Sequence, residues 1–224
     1  MISPLFSVLW HLSGVLVAAM MPALALAGDL HAVVHDISGK PVVDAVVIAL
    51  PAVRIAGNAG GAVATIIVDQ INKQFVPRVL PVQMGTTVSF PNKDNIRHHV
   101  YSFSPAKVFE LPLYTGVPAA PVLFDKSGPV VLGCNIHDWM VAYVYVTDTP
   151  YFGKSDASGK VDLTDLPAGK YTVRTWHPRL EGTEESTDQP IVVQRSGIVE
   201  TTTVIGLKPV FRPRRAPIPG SVSY

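Results

Sequence analysis

Proline and glycine interrupt this chain so often, once its first residues are passed, that helix signals are weak throughout. The 224 residues hold 20 Pro and 17 Gly. Proline removes a backbone donor, and glycine weakens the interior of any regular element. Between these breaks lie short runs of Val, Ile, Thr, Phe and Tyr, types that fit a pleated, half-buried surface. "LHAVVH" (30–35) and "DAVVIAL" (44–50) read as strands around the turn-rich "DISGKPV". Further strands are expected at 65–70, 75–82, 86–90, 98–103, 129–133 and 141–146, with "YTVRTW" alternating at the end of "SDASGKVDLTDLPAGKYTVRTW" (155–176). The expected fold class is all-β.

Composition narrows the function. Apolar residues make up 48% and charged residues 16%, with a formal net charge of +1. That is enough material for a core, and nothing in the charge points to nucleic acid. The first 27 residues are apolar and end in small residues. Ala25 and Ala27 form an A-x-A pattern, so residues 1–27 read as a signal peptide cleaved before Gly28. No Lys or Arg stands among the first ten residues, and the stretch is also long enough for a membrane anchor. Either reading exports the remainder, with the periplasm as the expected place and no stable membrane insertion after cleavage.

The mature chain divides unevenly. "RIAGNAGGAVA" (54–64) is soft and reads as a linker, centred on 54–62. "KPVFRPRRAPIPGSVSY" (208–224) reads as an extended Pro/Arg-rich tail. The flanks "VHDISGKPVVDAVVIAL" and "SDASGKVDLTDLPAGKYTVRTWHP" resemble the two halves of a small carboxypeptidase-regulatory or transthyretin-like β-sandwich. About a hundred residues separate them. The resemblance implies one sandwich (28–53 and 148–207) interrupted by a second domain (63–147); two tandem all-β units are the rival arrangement. Domain insertion at a surface loop is tolerated because the ends of a compact domain often lie close together.

The chemistry gathers in "GCNIHDWM" (133–140). It holds the single cysteine, with His137 three residues later and Met140 three after that. A thiolate, an imidazole and a thioether need one more imidazole to become a His2Cys set with a weak axial Met, the ligand set of blue copper. "FPNKDNIRHHVYSF" supplies it. Successive strand residues face opposite sides, so His98 and His99 cannot both point inward. Zinc can also take Cys and two His, but a thioether suits it poorly.

Residues 63–147 resemble the cupredoxins, blue copper proteins of the amicyanin and plastocyanin kind. In those the ligand His stands six positions after an Asn; here Asn92 precedes His98 by six. The resemblance implies a Greek-key β-sandwich with His98, Cys134, His137 and Met140 as ligands of one copper, and His99 outside the set. The short C-x2-H-x2-M loop is of the amicyanin length, and "MVAYVYV" resembles the last strand. With its sandwich-like flanks, the chain resembles exported cupredoxin-like proteins often labelled methylamine-utilisation proteins. Two departures bear on the surroundings of the sulfur: Leu132 stands where an aromatic residue is common, and Ile136 where a loop proline is common.

Other polar residues carry weaker signals. His31 and His35 share a strand face and could form a second metal site; His177 reads as a sandwich residue. The stretch 104–128, flanked by Glu110 and Asp125, reads as a long loop that could cover the site. No G-x-S-x-G, P-loop or C-x-x-C-H motif is present. The expected role is one-electron transfer without catalysis, because four protein ligands leave a metal no open position. A cytochrome c-like protein or a dehydrogenase is the expected partner, docking at Ile136, Trp139 and Pro91 around His137. Copper delivery, or an interaction module with structural copper, are the rival roles.

Overall fold

The computed structural model describes residues 27–53, 65–118 and 120–210. Residues 1–26 of the segment read as signal peptide, the linker 54–62 and the end of the tail from 211 lie outside these residues, while Ala27 opens the first strand. The described chain is all-β, with one short 3-10 turn at Glu184–Thr187. Among the described residues no helix is long and apolar enough to cross a membrane.

Strands β1 (Ala27–Asp36) and β2 (Val46–Pro51) come first. The middle holds β3 (Ile66–Ile67), β4 (Asp69–Ile71), β5 (Gln74–Val76), β6 (Val79–Gln83), β7 (Thr86–Ser89), β8 (His98–Ser104), β9 (Lys107–Tyr114), β10 (Val122–Phe124), β11 (Gly128–Gly133) and β12 (Val141–Thr147). Then follow β13 (Phe152–Lys154), β14 (Lys160–Pro167), β15 (Gly169–Trp176), β16 (Gln189–Val193) and β17 (Ile198–Ile205).

The first and last strands share sheets. β1 lies between β14, antiparallel, and β17, parallel. A second sheet runs β13-β2-β15-β16. Alternation along β1 sends Leu30, Ala32 and Val34 into the core between the two sheets, where Val47, Ala49, Leu163, Tyr171 and Val173 meet them. Two turns of like sequence close the first sheet alike. In "DISGK" Asp36 Oδ1 accepts the N–H groups of Ser38 and Lys40; in "DASGK" Asp156 Oδ1 accepts those of Ser158 and Lys160.

The middle strands build around their own core. A five-stranded sheet runs β6-β12-β11-β8-β9 and faces the smaller β10-β7-β3 sheet. Phe90, Val100, Phe124, Leu132 and Val144 are fully buried between them, and Cys134 and Met140 belong to the same cluster.

Two strands have both faces covered, and they join the layers. β2 sends Val47 and Ala49 one way and Val46 and Ile48 the other. β12 sends Ala142, Val144 and Val146 into the middle core and turns Tyr143 and Tyr145 outward. Val46, Ile48, Val79, Tyr145 and Trp176 form the cluster between them. Each such large apolar side chain contributes about 1.5–3 kcal/mol when buried. The sheets therefore stack in four layers with a packed joint in the middle.

Two expectations for the middle strands are corrected. Residues 104–128 are not a loop: β9 pairs along β8, and β10 pairs with β7. "KVFELPLY" alternates, with Phe109 and Leu111 packed on the core while Val108 and Glu110 face out; its proline, Pro112, disguised this pattern, and as an edge strand β9 tolerates it. The run 75–82 is also two strands, β5 and β6, parted at Pro77.

Candidate metal centre

The pairing of β8, β11 and β12 creates the site. β11 lies between the other two and is antiparallel to both. Cys134 follows directly on β11, and Met140 directly precedes β12. The connection between them is a tight loop in which Met140 N–H donates to His137 O at 2.9 Å. His98 is the first residue of β8. One loop thus supplies the thiol and one imidazole, and the neighbouring strand supplies the other.

The donors converge. Cys134 Sγ is 3.9 Å from His98 Nδ1 and 3.8 Å from His137 Nδ1. The three ligand atoms lie within 4.8 Å of one another, and among the described residues no other His, Cys, Asp or Glu cluster of three does so. Two bonds of the usual 2.0–2.3 Å span at most about 4.3 Å, so one ion can reach sulfur and nitrogen together. Cys134 and His98 are buried, His98 completely, while His137 is half-buried at the edge with Trp139 against its ring. Met140 is buried in the cluster that holds Cys134.

His98 is oriented from behind. Its Nε2 lies 2.7 Å from Asp94 Oδ2. A carboxylate only accepts, so Nε2 carries the proton and Nδ1 turns its lone pair toward the sulfur. Burial pushes the Asp94 carboxyl up, but the Lys73 N–H, the His98 ring and the Asn72 N–H outweigh it and hold the group below its ordinary range. His137 is shifted down by burial first, then by the nearby His98 and Lys73. The His137 imidazole is thus kept available as a neutral donor.

His99 points to the other face of β8. Its ring packs on Tyr101, with Glu110 Oε1 2.9 Å from Nε2 but out of line for a hydrogen bond. His31 stands 3.7 Å from Asp162 on an exposed face, and neither it nor His35 joins a donor cluster. His177 is buried among the flanking strands, its Nδ1 accepting the Arg179 N–H. Ile136 is 47% exposed, and Pro91 and Trp139 are half-buried. Asp94 was not singled out from the sequence. Its place four residues before His98 is a signal only once the turn that holds it is known.

No protein family's model matches the chain, and no curated protein matches it. Solved structures do. The chain is similar to a copper-containing nitrite reductase from Thermus scotoductus SA-01, at 25% identity over 44% of this chain with a TM-score of 0.37. The match spans only a quarter of the reductase. A purple cupredoxin from Nitrosopumilus maritimus shares 28% identity over 38% of this chain and 99% of its own length, at a TM-score of 0.33. An oxidised amicyanin mutant shares 24% over 38% of this chain and 87% of its own, at 0.35. The neighbours are cupredoxins.

Proposed function

We propose that this chain is an exported type 1 copper protein that passes single electrons between redox proteins. One observation carries the reading: a buried thiol flanked by two imidazole nitrogens at 3.8 and 3.9 Å, with Met140 buried in the same cluster. Thiolate, two imidazoles and a thioether are the soft, crowded set that suits copper over zinc. His98, Cys134 and His137 would hold the metal, with Met140 as the weak axial ligand. Bound copper supplies a one-electron couple. The chain excludes water from all but the His137 edge, and its four donors leave no vacant position for a substrate. That set suits a carrier rather than an enzyme.

His137 is the natural exit, since it alone of the ligands reaches the surface. The exposed Ile136 beside it offers a small apolar contact. Such contacts suit redox encounters that must release quickly, with a cytochrome c-like protein or a dehydrogenase. The N-terminal segment supports export to the periplasm. We further propose that residues 63–147 form a copper domain inserted into the β-sandwich built from 28–53 and 148–207; the pairing of β1 with β14 and β17 supports this.

Titrating the protein with copper(II) tests the reading. An intense visible thiolate-to-copper band at one copper per chain is expected, lost in Cys134→Ser. A colourless complex, or an equal response from the serine variant, overturns it. Copper that passes readily to a chelator would instead make the chain a delivery protein.

A further inference from the structure

A hairpin outside the ligand set holds the carboxylate that orients His98. Strands β4 and β5 pair with Ile71 opposite Gln74, leaving Asn72 and Lys73 as a two-residue turn. Both residues are left-handed, with φ of 53° and 57°, as the type I′ hairpin turn requires. That conformation aims two successive N–H groups outward. Asn72 N–H donates to Asp94 Oδ1 at 2.7 Å, and Lys73 N–H donates to Oδ2 at 2.8 Å. The same Oδ2 accepts from His98 Nε2. Asp94's own N–H donates to Asn92 Oδ1, and Asn92 Nδ2 in turn ties to Ile96 O and Tyr114 O.

The hairpin is itself pinned to the segment that carries Asp94. Gln70 N–H donates to Pro91 O, Lys93 N–H donates to Gln70 O, and Lys93 Nζ bonds Asp69 Oδ2 at 2.7 Å. The carboxylate therefore has no freedom of its own. Its place is set by a turn that contributes no ligand.

We propose that Asp94 is a positioning residue whose carboxylate, clamped by the Asn72–Lys73 turn, fixes the ring and tautomer of His98 and sets how strongly the site favours oxidised over reduced copper. A hydrogen bond from the distal imidazole N–H to a carboxylate raises the basicity of the ligating nitrogen, and such outer partners commonly change metal affinity by 10–100-fold. Its negative charge favours the more positive oxidised metal. The copper part of the proposal rests on the function proposed above; the tautomer part does not.

An amide cannot replace this carboxylate. It has one accepting oxygen where the clamp presents N–H donors to both, so in Asp94→Asn one orientation or the other sets N–H against NH2. The experiment compares wild type, Asp94→Asn, Asp94→Glu and a variant with one glycine inserted after Asn72. Nitrogen NMR of the metal-free protein reads the His98 tautomer without any copper. Wild type is expected to hold a single tautomer protonated at Nε2. Asp94→Asn and the insertion are expected to show a mixture, and Asp94→Glu a partial return. In the copper-loaded protein the oxidised-to-reduced binding ratio should fall at least tenfold in Asp94→Asn, equal to 59 mV upward for one electron. The insertion should move it the same way by less. An unchanged tautomer and potential in Asp94→Asn overturn the positioning role. An unchanged insertion variant removes the turn from it. If no variant shows the copper band while the tautomers shift as stated, the metal assignment fails and the clamp stands.

Discussion

The ring of Tyr101 lies against Gly133, so close that a Cβ there would sit 2.7 Å from Cζ. Gly133 is the residue before Cys134 and pairs with Tyr101 across β11 and β8. The ring cannot swing aside freely, because it also packs on His99 and Phe103. Gly133→Ala must displace the ring or the strand that carries the thiol. A loss of about 1–2 kcal/mol is expected in urea denaturation, together with a shifted thiolate band in the copper protein. Adding Tyr101→Ala should restore the band position.

His98 and His99 are adjacent but face opposite ways. His98→Ala should remove the thiolate band, since it deletes the Nδ1 beside the sulfur. His99→Ala deletes a ring that packs on Tyr101 beside Glu110, away from the sulfur, and should keep the band. Absorption titrations of the two variants check this; the reverse result would place the ligand at 99.

The layers are joined by a polar bond as well as by the apolar cluster. Tyr145, buried on β12, donates to Glu184 Oε2 at 2.5 Å. Burial and this bond push the Tyr145 hydroxyl up, while burial pushes the Glu184 carboxyl up against the bond, which lowers it. Tyr145→Phe leaves a half-buried carboxylate without its donor, so a cost of about 1–3 kcal/mol is expected. Denaturation should show it while the copper band stays in place. Combined with Glu184→Gln, the two losses should add to less than their sum.

His177 gives stability a pH dependence of predictable sign. Burial, then Arg179, pushes its pKa from 6.5 down to about 4. Between these values the unfolded chain takes a proton that the folded chain refuses. Stability should therefore fall as pH drops from about 6.5 toward 4. With allowance for partial solvent screening, this share is about 1–2 kcal/mol. His177→Asn keeps an acceptor for the Arg179 N–H and cannot titrate. The difference between the two proteins' denaturation curves across that range should carry this slope.

The all-β class was legible because alternation and turn residues are local. So was the proximity of Cys134, His137 and Met140, which one short loop enforces. That His98 and His99 face opposite sides followed from strand alternation. What stayed hidden depends on chain segments far apart. Asp94 is an ordinary surface-looking acid until the Asn72–Lys73 turn is placed beside it. Gly133 reads as the end of a strand, and nothing in the sequence shows that Tyr101 covers it. Residues 107–114 looked like loop because Pro112 masks an edge strand's alternation.

β1 is the first strand of the described chain, and both its neighbours come late: β14 begins at Lys160 and β17 at Ile198. The middle strands have all their partners between Ile66 and Thr147. A growing chain can thus finish its interior before its beginning. Until residues from Phe152 onward are available, β1 and β2 have no sheet to join, and the sheet of β1 is complete only once Ile205 is reached. Waiting on such distant partners changes the equilibrium little, but it slows folding. It also leaves two strands with open edges, the form most exposed to pairing with another chain. Premature termination after β12 would therefore release a molecule whose middle strands have all their partners while its N-terminal strands stay free to aggregate.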